Sequence, residues 1–476
     1  MKDLPPKHQQ IFKRIGETAA EIGQEAYVVG GYVRDYYLDR FRSDGSMDID
    51  FVTIGSGIRL ARKVANQLEG ARLSVFKQFG TAQVSWNELD LEFVGARRES
   101  YRNSSRKPVV EDGTLEEDQL RRDLTINALS WSLQPDSFGE LLDPFNGIED
   151  LNNRIIRTPV EPEQTFSDDP LRMMRAVRFA TQLQFRIDEQ TFRGIQKMAY
   201  RLEIISRERI LEELNRIILA PVPSEGFRLL LETGLLEQFF PELIELQGVE
   251  EIRGVRHKDN FWHTLKVLDN IAAVSDNLWL RWATILHDIA KPPTKRFVKG
   301  IGWTFHGHDA LGAKWVPKIF RRLSLPMDNR MKYVRKLVRL HLRPIALASE
   351  EVTDSAIRRL IYEAGDDIED LLNLCRADIT SKNERKVKQY LKNFDRVERK
   401  VQEVEAKDRI RNWKNPISGE DIMNTIDVPE GPIVGKVKNA VKEAIFDGEI
   451  PNKRDAALQY MKSIAPKILE QSGRAS

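Results

Sequence analysis

Residues 30–35, GGYVRD, and residues 47–52, MDIDFV, form the stretch that decides the fold around them. An apolar, β-prone run at residues 27–29 precedes it, so the predicted order is strand, glycine turn, helix and second strand. The paired glycines have no Cβ, which lets the backbone turn tightly and approach a ligand closely. The helix that follows would point its free N–H groups and positive dipole end at the same place, beside Arg34. This position therefore suits a phosphate group.

The acidic pair Asp48 and Asp50 lies on the second predicted strand. Side chains two apart on a strand share a face, so the two carboxylates converge while Ile49 and Phe51 point the other way. Two oxygen ligands held together suit Mg²⁺, which binds through one or two carboxylates together with substrate phosphates. A glycine pair is usually just a turn, and an Asp-x-Asp on a strand is usually a solvated face. Their combination is less common, and it is what metal-assisted nucleotidyl transfer requires.

The composition indicates a multidomain protein of ordinary soluble type. The 476 residues are 41% hydrophobic and 31% charged, and single cores seldom grow past about 250 to 300 residues, so three or four domains are expected. The net charge is only +2, so any nucleic-acid surface must be a local basic patch. Cys375 is the only cysteine, which excludes an intrachain disulfide framework and fits a reducing compartment. Because the sequence has no signal-type or membrane-spanning apolar run, we expect a cytoplasmic protein without membrane contact.

Three further segments of the N-terminal half contain informative patterns. Residues 89–94, LDLEFV, place Asp90 and Glu92 on one strand face, where one of them can supply a third metal ligand. Residues 98–118 are polar and contain turn formers, which predicts a loop over the site. Residues 121–129, RRDLTINAL, have apolar positions that suit a buried helix, and their charged start could serve only as a cap.

This order of motifs resembles the nucleotidyltransferase head of the polymerase-beta superfamily, in the branch with bacterial tRNA CCA-adding enzymes and poly(A) polymerases. The resemblance implies an α+β head with Asp48, Asp50 and Glu92 as catalytic residues, the first two holding Mg²⁺. It favours Glu92 over Asp90 because the family pattern ends in Ala-Arg, here at residues 96–97. It also implies that the loop at 98–118 helps the enzyme change from adding C to adding A. The nucleotide-binding positions that it implies in the head are Gly30, Gly31, Arg34, Arg122, Asp123 and Asn127.

Asp169 and Arg172 are candidates for reading the base of the incoming nucleotide. Three apart on a predicted helix, they would lie on one face. Cytosine and adenine each present an amine donor beside a ring-nitrogen acceptor, so a carboxylate next to a guanidinium accepts them and rejects uracil and guanine. Asp169 could instead only cap the helix. The family's acid-Asp-x-x-Arg motif falls on residues 168–172, which favours base reading. Two arginines could continue this face toward the phosphates, Arg175 and Arg178.

Six of the seven histidines lie between residues 257 and 341, which indicates a separate module. Together with two aspartates they resemble the ligand order of an HD metal phosphohydrolase domain, a domain with phosphatase and phosphodiesterase activity in many bacterial CCA-adding enzymes. Imidazole and carboxylate suit a divalent transition metal, whose identity the pattern does not determine. The implied metal ligands are His263, His287, Asp288, His308, His341 and Asp378.

The C-terminal part is charged and predicted to be helical. Residues 382–411 hold eleven lysines and arginines against six acidic residues. A solvated helix pair is the ordinary interpretation of such a run, and a surface for an RNA backbone is the sharper one.

The sequence thus predicts an α+β, polymerase-beta-like head at residues 1–150 and all-α segments after it: a neck at 151–216, an HD domain at 217–380 and a tRNA-binding tail at 381–476. The expected activity is template-independent addition of CCA to tRNA from CTP and ATP by two-metal-ion nucleotidyl transfer, with two Mg²⁺ held by Asp48 and Asp50 in the head, and metal-dependent phosphohydrolysis by an HD domain that holds a divalent metal. Poly(A) polymerases and enzymes that add only CC or only A are alternatives of the same fold. An HD phosphohydrolase whose head merely binds RNA is an alternative of another class. No feature indicates a stable protein partner.

Overall fold

The computed structural model describes residues 4–40, 47–100, 109–252, 255–256, 258–349, 352–381, 383–408 and 410–473. The chain forms two compact units, Met1–Ile244 and Glu245–Ser476. The first unit contains the acidic strand motif and the second contains the histidine-rich segment. The finer division into head, neck, HD and tail segments stays a prediction.

The first unit combines a mixed β-sheet with helices, so the predicted α+β class is confirmed. Its strands are β1 (Glu25–Val29), β2 (Met47–Ile54), β3 (Arg72–Phe76), β4 (Thr81–Trp86), β5 (Leu89–Gly95), β6 (Arg97–Ser100), β7 (Val109–Asp112), β8 (Ser130–Ser132), β9 (Leu141–Leu142), β10 (Ile155–Ile156) and β11 (Arg186–Ile187). Its helices are α1 (Pro6–Glu21), α2 (Gly31–Tyr37), α3 (Gly57–Gln67), α4 (Leu115–Leu120), α5 (Gly147–Asn153), α6 (Pro162–Asp168), α7 (Leu171–Leu183), α8 (Glu189–Met198), α9 (Arg207–Ile218), α10 (Pro223–Glu232), α11 (Leu235–Phe239) and α12 (Pro241–Ile244).

The main sheet has the strand order β3-β4-β5-β2-β1-β8-β9, in which β2 and β5 run parallel. One face of it is closed by aromatic packing: the Phe12 ring of α1 meets Phe51 at 5.8 Å, and Phe51 stacks on Phe93 at 5.0 Å. Because strand side chains alternate, burial of Ile49 and Phe51 leaves Asp48 and Asp50 on the opposite, open face. The shared face predicted for the two aspartates is confirmed.

The loop predicted at residues 98–118 is wrong for the residues that the structure describes. β6 and β7 pair as an antiparallel hairpin, with Arg97 opposite Asp112, and α4 follows. Thr114 and Glu117 form a capping box that begins this helix, and adjacent valines favour the strand before it. Residues 101–108, which belong to the same prediction, lie outside the described part of the chain.

The buried helix predicted at residues 121–129 is also wrong. The segment makes one 3₁₀ turn at Thr125–Asn127 and then enters β8. β8 pairs with β1, with Val28 opposite Trp131, so sheet pairing with a distant strand outweighs the local helical pattern.

The second unit is mainly helical. Its short strands are β12 (Glu251–Ile252), β13 (Val255–Arg256), β14 (Arg296–Val298) and β15 (Gly302–Thr304). Its helices are α13 (Asn260–Ala272), α14 (Leu278–Leu286), α15 (Lys291–Thr294), α16 (His308–Arg322), α17 (Asn329–Leu340), α18 (Leu342–Ser349), α19 (Asp354–Ala364), α20 (Ile368–Asp378), α21 (Glu384–Asp408), α22 (Gly419–Ile426), α23 (Pro432–Asp447) and α24 (Arg454–Gly473). In the described ranges, no helix is both long and apolar enough to cross a membrane.

The charged run after residue 381 forms one long helix, α21, where the ordinary interpretation expected a helix pair. Its stripe of buried residues, Phe394, Val397, Val401 and Val404, has helical spacing. The apolar stripe attaches α21 to the unit and leaves its charged residues toward solvent.

Candidate functional site

The three predicted catalytic carboxylates lie on the open face of the sheet, on neighbouring strands. In the parallel register of β2 and β5, Asp50 is opposite Glu92 and Asp48 is opposite Asp90. Asp90 is engaged locally, because the Ser85 hydroxyl donates to its Oδ1 at 2.5 Å. Glu92 is therefore the acid of β5 that lies opposite Asp50, and its role as a third metal ligand stays a prediction.

Asp50 and Glu92 are electrostatically strained. Asp50 reaches solvent, but the surrounding protein desolvates its carboxylate, and this desolvation raises its pKa. The charge of Arg122 lowers the pKa of Asp50, and the charge of Asp48 raises it. Desolvation also raises the pKa of Glu92, and the charges of Asp50 and Asp48 add to it. Three mutually repelling carboxylates would be stabilised by a bound cation, so these residues fit Mg²⁺.

Gly30 and Gly31 have different local requirements. Gly30 precedes α2 with φ +75°, and a Cβ there would lie 2.9 Å from Arg122 Nη1. Gly31 is the first helical residue, and the atom nearest to a Cβ added there would be Arg34 Nη2, at 3.7 Å. Only the first position therefore needs glycine for the backbone and for the space that the arginine occupies.

A chain of hydrogen bonds joins four of the predicted nucleotide-binding residues. Arg34 Nη1 donates to Asn127 Oδ1 at 2.8 Å, and Asn127 Nδ2 donates to Asp123 Oδ1 at 3.0 Å. Arg175 Nε then donates to Asp123 Oδ2 at 2.6 Å. Burial raises the pKa of Asp123, but the charge of Arg175 and the hydrogen bonds from Asn127 and Arg175 together outweigh this effect, so the pKa is lowered. The network links α2 to α7 and fixes both arginines beside the sheet.

Glu213 of α9 is a site residue that the sequence analysis missed. It is buried and lies 2.5 Å from Arg178 Nε and 3.9 Å from Arg175 Nη1. Burial lowers the pKa of Arg178 to about 10, although Glu213 opposes this. The Phe179 ring faces the Arg178 guanidinium at 3.9 Å. The available signal was an acid at a core-facing position of an amphipathic helix.

Asp118 is a second residue that was missed. Its fully buried carboxylate binds Arg121 at 2.5 Å and Arg122 at 3.2 Å, at helical spacings of three and four residues. Arg122 also donates to the main-chain oxygen of Asn127 at 3.2 Å. Asp118 therefore orients the arginine that borders Gly30 and Asp50.

Asp169 and Arg172 do not share a helix face, which corrects the prediction. α7 begins only at Leu171, so Asp169 precedes it in an extended conformation, because Pro170 takes the N-cap position. Asp169 Oδ1 accepts a hydrogen bond from the Leu171 N–H at 3.0 Å, and Oδ2 pairs with Arg209 Nη2 at 2.8 Å. The Arg172 guanidinium donates to two main-chain oxygens, at 2.6 and 3.2 Å. Capping is thus a real role of Asp169, and its other oxygen faces a different arginine from the predicted one.

In the second unit, Asp288 lies between two pairs of histidines. Its Oδ2 is 3.3 Å from His287 Nε2 and 3.7 Å from His263 Nε2, and its Oδ1 is 3.3 Å from His308 Nε2 and 3.9 Å from His341 Nε2. All six predicted ligands come together. They form two groups with ligand atoms within 4.8 Å of one another: His263, His287 and Asp378, and Asp288, His308 and His341.

The histidines of this cluster all direct Nε2 inward. The Nδ1 atoms of His287, His308 and His341 each bond the main-chain oxygen three residues earlier, at 2.6 to 2.7 Å, and His263 Nδ1 bonds the Thr380 hydroxyl at 2.9 Å. Such bonds fix the ring orientation of metal-binding histidines. Buried His287 Nε2 has no hydrogen-bond partner among the described residues, so the donor set fits a divalent cation.

The charges of the cluster are balanced by protons and a lysine. Burial would lower the pKa of His287, but Asp288 and Asp378 raise it to about 10. Burial and the neighbouring His287 lower the pKa of His341 to about 3. Lys291 Nζ lies 2.5 Å from Asp288 Oδ2. A cation would displace the proton of His287.

Two other histidines of this region are not part of the cluster. His306 is exposed, although it is only two residues from the buried ligand His308. His257 lies outside the described residues.

Three family models match the chain in the order of these sites. The poly A polymerase head domain matches residues 26–157, the probable RNA and SrmB-binding site of polymerase A matches 184–246, and the HD domain matches 260–399. Fold and sites thus define a nucleotidyltransferase of the polymerase-head class that also has an HD domain.

The chain is 31% identical to the A-adding tRNA nucleotidyltransferase of Deinococcus radiodurans over 90% of its length and 94% of that protein. It is 31% identical to the CC-adding tRNA nucleotidyltransferase of Thermus thermophilus over 91% and 92%. The protein belongs to the tRNA nucleotidyltransferase family. The resemblance inferred from its motifs is confirmed.

Solved structures of CCA-adding enzymes share the fold. The Bacillus stearothermophilus enzyme in complex with CTP has a TM-score of 0.64 and 24% identity, with coverage of 98% of this chain and 100% of that one. The Thermotoga maritima enzyme complexed with tRNA has a TM-score of 0.61 and 21% identity, with coverage of 97% and 96%.

Proposed function

We propose that this enzyme adds CCA to the 3′ end of tRNA from CTP and ATP, without a template, in the cytoplasm. The observation that carries this proposal is the register that sets Asp50 opposite Glu92 and beside Asp48, on an open sheet face next to the Gly30 turn. Family membership supports the RNA substrate, because the relatives are tRNA nucleotidyltransferases. The intact carboxylates argue against a head that only binds RNA.

The residues of the first unit divide the work of the reaction. Asp48, Asp50 and Glu92 would hold Mg²⁺, and the bound metal would supply Lewis acidity toward the tRNA 3′ hydroxyl and the leaving pyrophosphate. Arg34 and Arg122 flank the glycine turn and bind the triphosphate through charge-assisted hydrogen bonds. Two networked residues of the turn before β8 position the nucleotide sugar and triphosphate, Asp123 and Asn127.

Base choice is assigned to Asp169 and Arg172. Asp169 accepts from the exocyclic amine of C or A, and Arg172 donates to the neighbouring ring nitrogen. Arg209, which pairs with Asp169 Oδ2, is a positioning residue for that carboxylate. Arg175 and Arg178 extend this set toward the phosphates.

The deciding experiment supplies tRNA without CCA, with CTP and ATP alone and together, and sequences the products. Addition of CCA from the pair supports the proposal. Because the relatives include one A-adding and one CC-adding enzyme, two other outcomes are specific. Arrest after CC assigns a CC-adding enzyme, and addition only to tRNA that already ends in CC assigns an A-adding one. Long A tails on other RNAs would assign a poly(A) polymerase.

A second activity is favoured by the cluster around Asp288: metal-dependent hydrolysis of phosphate esters. We propose that each of the two ligand groups would hold a divalent cation, with the Asp288 carboxylate facing the histidines of both groups. The cations would supply Lewis acidity toward the phosphate. Metal analysis of the purified holoenzyme tests this directly. Two equivalents of transition metal per chain, falling to one in His341→Ala, are expected; one equivalent in the unaltered protein contradicts the proposal of two cations.

A further inference from the structure

The segment from His308 to Arg343 is far more basic than the chain as a whole. It contains ten lysines and arginines against two aspartates, whereas the net charge of all 476 residues is +2. Most of it forms α16 and α17, which pack against each other in the second unit. The basic residues therefore lie on two adjacent helices rather than on a disordered tail.

Two adjoining cavities follow α17. One, of about 540 Å³, is lined by residues that include Trp279, Arg330 and Tyr333. The other, of about 660 Å³, is lined by residues that include Lys314 of α16 and Arg335. Both cavities are lined by Lys332 and Lys336, so they adjoin along α17, and the surface that they form together is named here the α17 groove.

The acids of the α17 groove are already paired. Asp367 binds Lys336 at 2.5 Å, and Glu363 binds Arg343 at 2.6 Å. In the described part of the chain, no carboxylate lies within 4.0 Å of three exposed basic residues of the groove, Lys314, Lys332 and Arg335. A surplus of positive charge therefore faces solvent in the groove.

One end of the groove also contains two aromatic side chains, Trp279 and Tyr333. The Arg330 guanidinium lies over the Trp279 ring at 5.3 Å. The Tyr333 hydroxyl is fixed because it donates to Asp370 Oδ2 at 2.6 Å. Cations that track a backbone, combined with aromatic rings on which bases stack, are the usual features of single-stranded nucleic-acid surfaces.

We propose that the α17 groove binds the phosphate backbone of the RNA substrate. This inference rests on the proposed function for the presence of RNA, and it adds a contact surface on the HD-bearing unit whose lining residues include none of the predicted metal ligands. Lys314, Lys332 and Arg335 line one cavity together, which lets several cations contact one strand, whereas Arg339 is paired with Asp309. An acidic protein would need only the charge, whereas the aromatic end favours nucleic acid.

The test uses the full-length chain with Lys314→Gln, Lys332→Gln and Arg335→Gln combined. Binding of tRNA lacking CCA is measured at several salt concentrations. Loss of three phosphate contacts should make the slope of log K against log salt less negative by about two to three, and should weaken binding on the order of a hundredfold at moderate salt. The KM for tRNA should rise while kcat for nucleotide addition stays near the unaltered value.

The matched control removes three exposed charges from α3, with Arg59→Gln, Arg62→Gln and Lys63→Gln. α3 packs beside α1, which covers the sheet face opposite the carboxylates. Its slope should equal that of the unaltered chain. The proposal is overturned if the groove variant has the same slope of log K against log salt as the unaltered chain. It is also overturned if the variant binds tRNA normally and loses binding only to an acidic protein or to anionic vesicles. If the unaltered chain binds RNA through the groove but adds no nucleotide, the proposed function fails and the groove stands.

Discussion

Arg209 and Asp169, forty residues apart in the chain, form an ion pair of 2.8 Å between α9 and the residue that precedes α7. The other oxygen of the same carboxylate caps α7 through the Leu171 N–H. Asp169 therefore has a structural role beside the base-reading role that we propose for it. Its substitution must be analysed for both effects.

Asp169→Ala should weaken discrimination against U and G by roughly ten- to a hundredfold, since a hydrogen bond to a charged group is worth about 1.5 to 3 kcal/mol. It should also lower stability by about 1 kcal/mol, because the cap is lost. Incorporation of all four nucleotides is measured beside the melting temperature. Asp169→Asn, which keeps a capping oxygen, is the control for stability. If both variants keep full selectivity while alanine lowers the melting temperature, the base-reading role is wrong.

The register of β2 and β5 predicts different outcomes for the two acids of β5. Asp48→Asn, Asp50→Asn and Glu92→Gln should each abolish nucleotide addition and leave tRNA binding nearly intact, because a metal ligand is lost and the RNA surface is kept. Asp90→Asn is the matched control, since Asp90 is occupied by Ser85, and it should keep most of the activity. Equal loss in Asp90→Asn and Glu92→Gln would contradict the assignment.

The raised pKa values of Asp50 and Glu92 predict a pH dependence of stability. A carboxyl with a native pKa above its unfolded value binds more protons in the native state, so stability falls as pH rises through that window, which starts near 3.8 for Asp50. Asp50→Asn removes one repelling charge, so it should raise the melting temperature at neutral pH in the presence of EDTA. Added Mg²⁺ should stabilise the unaltered protein more strongly as pH rises, because it binds the ionised carboxylates. Melting curves from about pH 4 to about pH 8 check both signs, and a lower melting temperature of Asp50→Asn in EDTA would count against mutual repulsion.

Substitutions in the histidine cluster should affect phosphate-ester hydrolysis and nucleotide addition differently. His287→Ala and Asp288→Ala should abolish metal-dependent hydrolysis of phosphate esters and spare nucleotide addition, because the histidine cluster lies in a different unit from the carboxylates. His306→Ala is the control, since that histidine is exposed. Its hydrolysis should be unchanged. A folded His287→Ala variant in which nucleotide addition falls as steeply as hydrolysis would refute two independent sites.

Alanine substitution at the two neighbouring glycines, Gly30 and Gly31, should lower stability by very different amounts. Gly30→Ala should cost about 1 to 3 kcal/mol, because φ is +75° and the new Cβ would lie 2.9 Å from Arg122 Nη1. Gly31→Ala should leave the unfolding free energy within about 0.5 kcal/mol, since its neighbour is 3.7 Å away and the position is helical. Urea denaturation of both variants measures the difference, and equal costs would show that the turn does not require glycine.

Much of the fold could be predicted because it depends on local spacing. The two-residue period of a strand sets Asp48 and Asp50 on one face, and the order strand, glycine turn, helix and second strand predicted around them is the order of β1, α2 and β2. The predictions failed where a distant partner decided the conformation. Residues 121–129 have a helical pattern, yet the segment continues into β8, which pairs with β1 in the sheet. The strands β6 and β7 pair where polar composition suggested a loop.

The sequence by itself determined which residues can do the chemistry, since carboxylates, imidazoles and arginines are recognisable from their type, order and spacing. Only the tertiary structure decided how they combine. The parallel pairing of β2 and β5 places Glu92 opposite Asp50. The packing of α9 on α7 lets Asp169 form an ion pair with Arg209 instead of with Arg172. In the second unit, helix packing places Asp288 between two histidine pairs. The physical reason is the same in each case: period and propensity act over a few residues, whereas these contacts join side chains that only long-range packing brings within a few ångströms.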